Sequence, residues 1–144
     1  MILPDVNLLV HAYAEGTAWH PKARPWLEKI FSGSEPVALS WPTITGFLRL
    51  TTSRSVMENP LPVIDALAVV REWLEQPVVR VIRPGDRHWQ ILEALLATIQ
   101  VGGNLVTDAH LAALAIEHDC DLCSTDSDFV RFKPVRWRNP IANR

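Results

Sequence analysis

The chain has 144 residues, 48% of them hydrophobic, and a formal net charge of −2 at pH 7. This size and apolar content suit one domain with a full core, so we expect a single domain over residues 1–144. The charge excludes a protein that binds nucleic acid through bulk positive charge, and any contact with nucleic acid must be local.

The sequence also lacks the features of exported and membrane proteins. Its two cysteines, Cys120 and Cys123, are too few and too close together for a disulfide framework. The first residues carry no basic segment of a signal peptide, and no apolar stretch approaches the roughly 18 residues of a membrane span. We therefore expect a cytoplasmic protein without a membrane partner.

Predicted strands and helices alternate along the chain. Residues 2–9 form an apolar strand interrupted by Asp5 and Asn7, and helical composition follows as far as Glu15. Apolar residues at helical spacing predict helices over residues 20–31, 41–50, 62–75, 87–100 and 107–118. Short apolar or β-branched runs predict strands at residues 37–40, 78–82 and 121–125. This alternation predicts an α/β fold with a mainly parallel sheet covered by helices on both faces.

Four aspartates lie at the boundaries of these elements. Asp5 interrupts the first strand, Asp108 begins the helix at 107–118, and Asp126 and Asp128 follow the last strand. Parallel sheets place their functional groups at the carboxyl ends of the strands, so we expect these acids to converge there. Ionised acids close together repel one another, which favours a divalent cation with oxygen ligands, Mg²⁺ or Mn²⁺. Such an ion can activate water for hydrolysis of a phosphodiester.

Each acid also has a purely structural interpretation. Aspartate is favoured at helix N-termini, where it accepts hydrogen bonds from free N–H groups, and this alternative stays open for Asp108 and Asp126. It suits Asp5 less well, because an acid within an apolar strand is costly unless it has a partner.

Three segments resemble the successive motifs of the PIN-domain family: residues 3–10 (LPDVNLLV), 107–113 (TDAHLAA) and 124–129 (STDSDF). Their order and spacing extend over the chain, and the resemblance is closest to the VapC toxins of bacterial VapBC toxin–antitoxin pairs. It implies a PIN-like three-layer α/β/α sandwich with a central, mainly parallel sheet. It also implies an endoribonuclease that cleaves RNA, a cognate antitoxin as partner, and a homodimer.

The resemblance also implies roles for individual residues. Asp5, Asp108 and Asp126 would hold Mg²⁺, with Mn²⁺ as an alternative, and a metal-activated water would attack phosphorus. Supporting roles at the site would fall to Asn7, Thr125 and Asp128.

The sequence departs from the family pattern in its third predicted helix. The family carries a glutamate in a segment resembling Trp-x-x-x-x-Glu-Phe-x-Arg, whereas residues 41–49 are WPTITGFLR, with Gly46 in the glutamate's place. Either the site works with fewer carboxylates and more water ligands, or hydrolysis is lost and the chain is an antitoxin- or RNA-binding module. Arg49, one helical turn from Gly46, is the preferred candidate for binding the RNA backbone.

Other assignments fit less well or stay open. A phosphatase with an aspartate nucleophile needs a second acid two residues after the first, where this chain has Asn7. A nuclease that acts on DNA is compatible with the same pocket, because a preference for the 2′-hydroxyl is invisible in sequence. His88 lies in a polar turn and could contact substrate, although capping or packing is the simpler expectation, and His110 lies on a buried helix.

Overall fold

A central parallel sheet organises the molecule, whose computed structural model describes residues 1–100 and 102–142. Within these residues the strands are β1 (Ile2–Pro4), β2 (Val37–Leu39), β3 (Val79–Val81), β4 (Asp121–Cys123) and β5 (Arg136–Arg138). They lie in the order β3-β2-β1-β4-β5, and every neighbouring pair is parallel. The expected parallel sheet is confirmed, and β1 lies at its centre.

Helices occupy most of the remaining chain. They are α1 (Val6–Tyr13), α2 (His20–Phe31), α3 (Trp41–Thr51), α4 (Val63–Glu75), α5 (His88–Ile99) and α6 (Leu105–Glu117). The bounds of α2 to α6 agree with the predicted helices to within about two residues, whereas α1 begins within the segment predicted as a strand. No helix in the described ranges combines the length and the apolar character that crossing a bilayer requires.

Successive residues of a strand point to opposite sides of the sheet, and here apolar strand residues lie on both sides. Helices cover both faces. One core, formed with α5 and α6, contains Leu3, Ala38 and Leu122 from the strands. The other core, formed with α1 to α4, contains Ile2, Leu39 and Cys123. The result is the expected three-layer α/β/α arrangement.

The first strand is shorter than the sequence predicted. It ends at Pro4, and Asp5 caps α1 by accepting a hydrogen bond of 2.7 Å from the backbone N–H of Val6. Asn7 therefore lies in the first turn of α1 and not in a strand. The apolar run after Asp5 fits either a strand or a buried helix, and the cap at Asp5 favours the helix.

The segment after β4 has structure that the sequence did not predict. A 3₁₀ helix (Ser127–Arg131) follows the acidic loop, and the chain then returns to the sheet as β5. Cys123 and Arg138 are register partners in the β4–β5 pair. The sequence did not predict this strand, because the exposed Arg136 and Arg138 leave it without an apolar run. Edge strands commonly carry such charged residues.

Candidate functional site

Asp5 is held rigidly at the carboxyl end of β1. Its backbone N–H donates to the carbonyl oxygen of Cys123 at 2.8 Å, which continues the β1–β4 pairing by one residue. Its Oδ1 accepts from the N–H of Val6 at 2.7 Å, and its Oδ2 accepts from the hydroxyl of Ser124 at 2.8 Å. The carboxylate thus has a fixed position between two neighbouring strands.

Ser124 connects three residues of the site. Its side chain is fully buried directly after β4. Besides donating to Asp5, its Oγ accepts from Nδ2 of Asn7 at 3.2 Å and from the backbone N–H of Asp126 at 3.0 Å. Thr125, one of the three residues predicted to support the site, makes no hydrogen bond to these carboxylates among the described residues. The hydrogen bond to Asp5 comes from the neighbouring serine.

The same hydrogen bonds orient the amide of Asn7. Because the Ser124 hydroxyl uses its proton on Asp5, it accepts from Asn7, so the NH₂ group of that amide faces Ser124. Oδ1 of Asn7 is then left buried, with no hydrogen-bond partner among the described residues. An unsatisfied buried acceptor is costly and marks a place where a donor or a cation belongs.

Asp126 and Asp128 form the loop after β4. Asp126 caps the 3₁₀ helix, and its Oδ1 accepts from the N–H of Asp128 at 2.8 Å. The Asp128 side chain is 52% exposed, and its Oδ1 lies 4.0 Å from Nε of Arg131. Asp126 therefore lies next to the cluster formed by Ser124, Asp5 and Asn7, whereas Asp128 lies at the exposed edge of this cluster and shapes the loop.

Asp108 enters the same cluster from the first turn of α6. Burial raises its pKa to about 6, and the negative charges of Asp5, Asp126 and Asp128 act in the same direction. The pKa of Asp5 is also raised, chiefly by burial and to a smaller extent by the charge of Asp126, against the lowering effect of its hydrogen bonds. The structure thus brings together the four aspartates identified in the sequence.

A pocket of about 180 Å³ opens beside these acids. Its walls are formed by residues of α1, α3 and α6 together with Asp5: Val6, Asn7, Pro42, Thr43, Thr107, Asp108, His110 and Leu111. The pocket therefore lies at the carboxyl edge of β1, where parallel sheets commonly bind their ligands.

The pocket fits a water-rich divalent cation better than a closed protein cage. Among the described residues, no three His, Cys, Asp or Glu side chains surround one point as metal ligands would. Mg²⁺, however, is usually bound through one or two carboxylates and keeps several waters. Such an ion would offset the repulsion between aspartates that contributes to the raised pKa of Asp108. It would also give the buried Oδ1 of Asn7 the partner that it lacks among the described residues.

Gly46 lies on α3 beside Val6, a residue of the pocket wall. A Cβ atom at this position would lie 3.3 Å from Cγ2 of Val6, which lines the pocket. A side chain at position 46 would therefore begin at the pocket wall, where the family pattern has its glutamate. Arg49 is exposed in the last turn of the same helix and does not line the pocket.

A pair of histidines beside the pocket was not predicted from the sequence. Nε2 of His88, on α5, lies 3.0 Å from Nδ1 of His110, on α6. Burial and the neighbouring His88 lower the pKa of His110. Each histidine was interpreted by itself, because no local sequence pattern predicts a contact between residues that are 22 positions apart on different helices.

Comparison with known proteins gives a consistent result. The family profile described as "PIN domain" matches residues 2–133. Ribonuclease VapC33 of Mycobacterium tuberculosis is 42% identical over 141 residues, which cover 98% of this chain and 99% of the relative. Ribonuclease VapC37 of the same species is 39% identical over 142 residues, covering 99% of both chains.

A solved structure shares the fold over nearly the whole chain. VapBC2 of Rickettsia felis, bound to a DNA fragment from its promoter, matches with a TM-score of 0.72. Sequence identity is 16%, and the match covers 96% of this chain and 98% of the other. The expected three-layer fold is confirmed.

Proposed function

The chain belongs to the PIN-domain family, and from this premise we propose that it is a metal-dependent endoribonuclease, the toxin of a toxin–antitoxin pair. Asp5 and Asp108, which line the pocket, would hold Mg²⁺ directly and Asp126 would hold it through water, with Mn²⁺ as an alternative ion. The observation that carries the proposal is that Asp5 and Asp108 line one pocket. Burial raises the pKa of Asp108 to about 6 there, and the charges of Asp5, Asp126 and Asp128 act in the same direction. Relatives that cover the chain over nearly its full length are named ribonucleases.

The bound ion would supply an activated water and stabilise the negative charge that develops on the phosphate. The chain itself supplies the positions of the ligands. Asp5 has no freedom to turn away, because Val6 and Ser124 each fix one of its oxygens. Asp126 is fixed through its backbone N–H to Ser124 and through Oδ1 to Asp128.

Asp108 has a different role, because it takes no hydrogen bond from the described residues. With a pKa of about 6, its carboxyl group is mostly ionised at neutral pH, yet its charge is destabilised by burial and by the neighbouring aspartates. A cation bound beside Asp108 would stabilise its ionised form. Metal binding therefore depends on the ionisation of Asp108 and of the aspartates around it. Asn7 contributes the oriented, unsatisfied Oδ1 to the same pocket.

Binding of RNA needs positive charge near an acidic pocket on a chain of net charge −2. Arg49 is exposed on α3, the helix that supplies Pro42 and Thr43 to the pocket wall. We therefore assign to Arg49 a contact with a phosphate outside the pocket.

A protein partner suits the exposed face of α4. Val63, Ile64 and Leu67 are 61%, 76% and 43% exposed. Such an apolar patch is typical of a surface that another protein covers. The Rickettsia felis structure of the same fold is that of VapBC2. For this chain we propose a cognate antitoxin and a second copy of the toxin as partners.

The alternative is a domain that binds RNA or antitoxin without cleaving, as Gly46 first suggested. The ribonuclease names of the full-length relatives favour the enzyme. The pocket also keeps the carboxylates of Asp5 and Asp108 without one at position 46.

The decisive experiment is cleavage of a panel of structured RNAs by the purified protein in Mg²⁺, Mn²⁺ or EDTA. We expect cleavage in either metal, none in EDTA, and none by Asp5→Asn. Asp65→Asn removes the same charge from exposed α4 and should cleave normally. Cleavage that persists in EDTA or in Asp5→Asn would contradict the proposal.

A further inference from the structure

A line of three side chains leads from the surface to the acidic pocket. Oε1 of Glu117 lies 4.0 Å from Nδ1 of His88, and Nε2 of His88 lies 3.0 Å from Nδ1 of His110. The two imidazole rings meet edge to face, with centroids 4.7 Å apart. His110 lines the pocket together with Asp5 and Asp108.

Glu117 is a fixed negative charge at the outer end of this line. Its carboxylate accepts from the backbone N–H of Gly85 at 2.7 Å and from that of Arg87 at 3.0 Å, and these bonds lower its pKa. The side chain is only 9% exposed. A Cβ at position 85 would lie 2.6 Å from Oε2 of Glu117, so a larger residue there would displace this carboxylate from its present position.

The charge of Glu117 selects the tautomers of both rings. A neutral imidazole carries one N–H, and the negative charge of Glu117, 4.0 Å away, favours that N–H on Nδ1 of His88. This nitrogen is buried and makes no hydrogen bond within the described residues, so the preference comes from the charge of Glu117 alone. Nε2 of His88 then has a lone pair and accepts from Nδ1–H of His110. His110 is left with a lone pair on Nε2, which makes this atom a hydrogen-bond acceptor.

That acceptor has no partner within the part of the chain that the structure describes. Nε2 of His110 is buried there and makes no hydrogen bond. Because the atom is shielded by its neighbours, a donor that reaches it gains a hydrogen bond without displacing another from the protein. His110 lines the same pocket as the carboxylates of Asp5 and Asp108, which are also acceptors, so the complementary group is a hydrogen-bond donor.

We propose that Nε2 of His110 accepts a hydrogen bond from the 2′-hydroxyl of an RNA nucleotide next to the cleaved bond, with His88 and Glu117 as positioning residues. The inference rests on the proposed ribonuclease function and identifies how that site distinguishes ribose from deoxyribose. The 2′-hydroxyl is a donor that RNA has and DNA lacks. Neighbouring side chains must shift when RNA binds, because Nε2 is shielded in the free protein.

The first test compares an RNA substrate with copies that carry one 2′-deoxynucleotide on either side of the cleaved bond. We expect the wild-type protein to cleave one deoxy copy about tenfold more slowly, which is the effect of one lost hydrogen bond. In His110→Phe, which keeps a ring but no acceptor, the ratio of the two rates should fall to about one. His20→Phe changes a histidine on α2 outside the pocket and should keep the tenfold ratio.

The second test reads the tautomers directly by two-bond ¹H–¹⁵N spectra of the imidazoles. We expect the wild-type His110 to carry its proton on Nδ1. His88→Leu should abolish this preference, and His88→Gln, whose amide oxygen can accept from His110, should retain it. If His88 had a purely structural role, His88→Leu and His88→Gln would not differ both in the tautomer of His110 and in the ratio of the two cleavage rates.

The outcomes separate this inference from the proposed function. If cleavage needs metal and Asp5 but His110→Phe keeps the tenfold ratio, or His110 carries its proton on Nε2, the ribose contact is wrong and the nuclease stands. If the wild-type protein cleaves no RNA, the nuclease fails. Binding of ribo- and deoxyribo-oligonucleotides with Ca²⁺ then decides the inference: a preference for ribose that disappears in His110→Phe supports it, and an unchanged ratio overturns it.

Discussion

The hydroxyl group of Ser124 donates a hydrogen bond of 2.8 Å to Oδ2 of Asp5, joining residues 119 positions apart in the sequence. The same hydroxyl oxygen accepts from Asn7 and from the backbone of Asp126. One buried serine therefore connects the first helix, the central strand and the acidic loop.

Ser124→Ala should weaken both the fold and the site. The change leaves the N–H of Asp126 and the amide of Asn7 without an acceptor, which we expect to lower the free energy of unfolding by about 1–3 kcal/mol. Urea denaturation measures this loss, and the rate of RNA cleavage should fall because the Asp5 carboxylate gains freedom. Ser127→Ala alters an exposed serine nearby and serves as control. Equal stability and equal rates in the two variants would show that Ser124 has no such role.

Asp108 should make the metal-free protein less stable as the pH rises. Its folded-state pKa is about 6 against an ordinary value of 3.8, so the folded protein holds this proton more tightly than the unfolded chain does. The group's stabilising contribution is therefore present below pH 3.8 and is lost as the pH rises to about 6. In EDTA, the free energy of unfolding of the wild-type protein relative to Asp108→Asn should decrease over this range.

Mg²⁺ should reverse that pH dependence. The ion binds the ionised carboxylates, so the stabilisation by a fixed Mg²⁺ concentration should increase as the pH passes through about 6. Thermal denaturation with and without Mg²⁺ measures the difference at each pH. A metal effect that is independent of pH, or that is unchanged in Asp108→Asn, would contradict the assignment of Asp108 as a ligand.

Gly46→Glu should tighten metal binding relative to Gly46→Ala. Both variants place a Cβ 3.3 Å from Val6, which must shift by a few tenths of an ångström, and both remove a glycine that costs about 1 kcal/mol in a helix interior. Only the glutamate adds a carboxylate beside the pocket. Isothermal titration with Mn²⁺ should give a lower Kd for Gly46→Glu, and equal Kd values would mean that position 46 does not reach the ion.

Arg49→Gln should weaken RNA binding without changing metal affinity. A residue that contacts one phosphate should lower the dependence of log K on log salt concentration by about one when it is removed. Fluorescence anisotropy across a salt series, with Ca²⁺ in place of Mg²⁺, measures this slope. Arg71→Gln neutralises an exposed arginine on α4 and should leave the slope unchanged. An unchanged slope in Arg49→Gln would remove this residue from the RNA surface.

The sequence predicted the alternation of strands and helices because apolar spacing differs between the two kinds of element. It failed at residues 6–9, where an apolar run suits either a strand or a helix. There the hydrogen bond from Val6 to the Asp5 side chain favours the helix. It also failed at β5, whose exposed arginines do not form the apolar alternation of a half-buried strand.

The candidate site was predicted in part for a similar reason. Acids at strand ends are visible in the sequence, and the structure brings Asp5 and Asp108 to one pocket. Ser124 was overlooked because a serine after a strand has no distinctive pattern of its own. The signal was its position, directly after the strand that pairs with β1. The contact between His88 and His110 depends on how two helices pack, which local spacing does not encode.

The pairing of β1 with β4 also bears on how the protein is made. Asp5 is synthesised early, whereas Ser124, which holds it, and Asp126 follow more than a hundred residues later. While the ribosome is still translating the intervening helices, Asp5 has neither its hydroxyl partner nor its acidic neighbours. The acidic site is therefore completed only after the intervening helices have been made and β4 has joined the sheet.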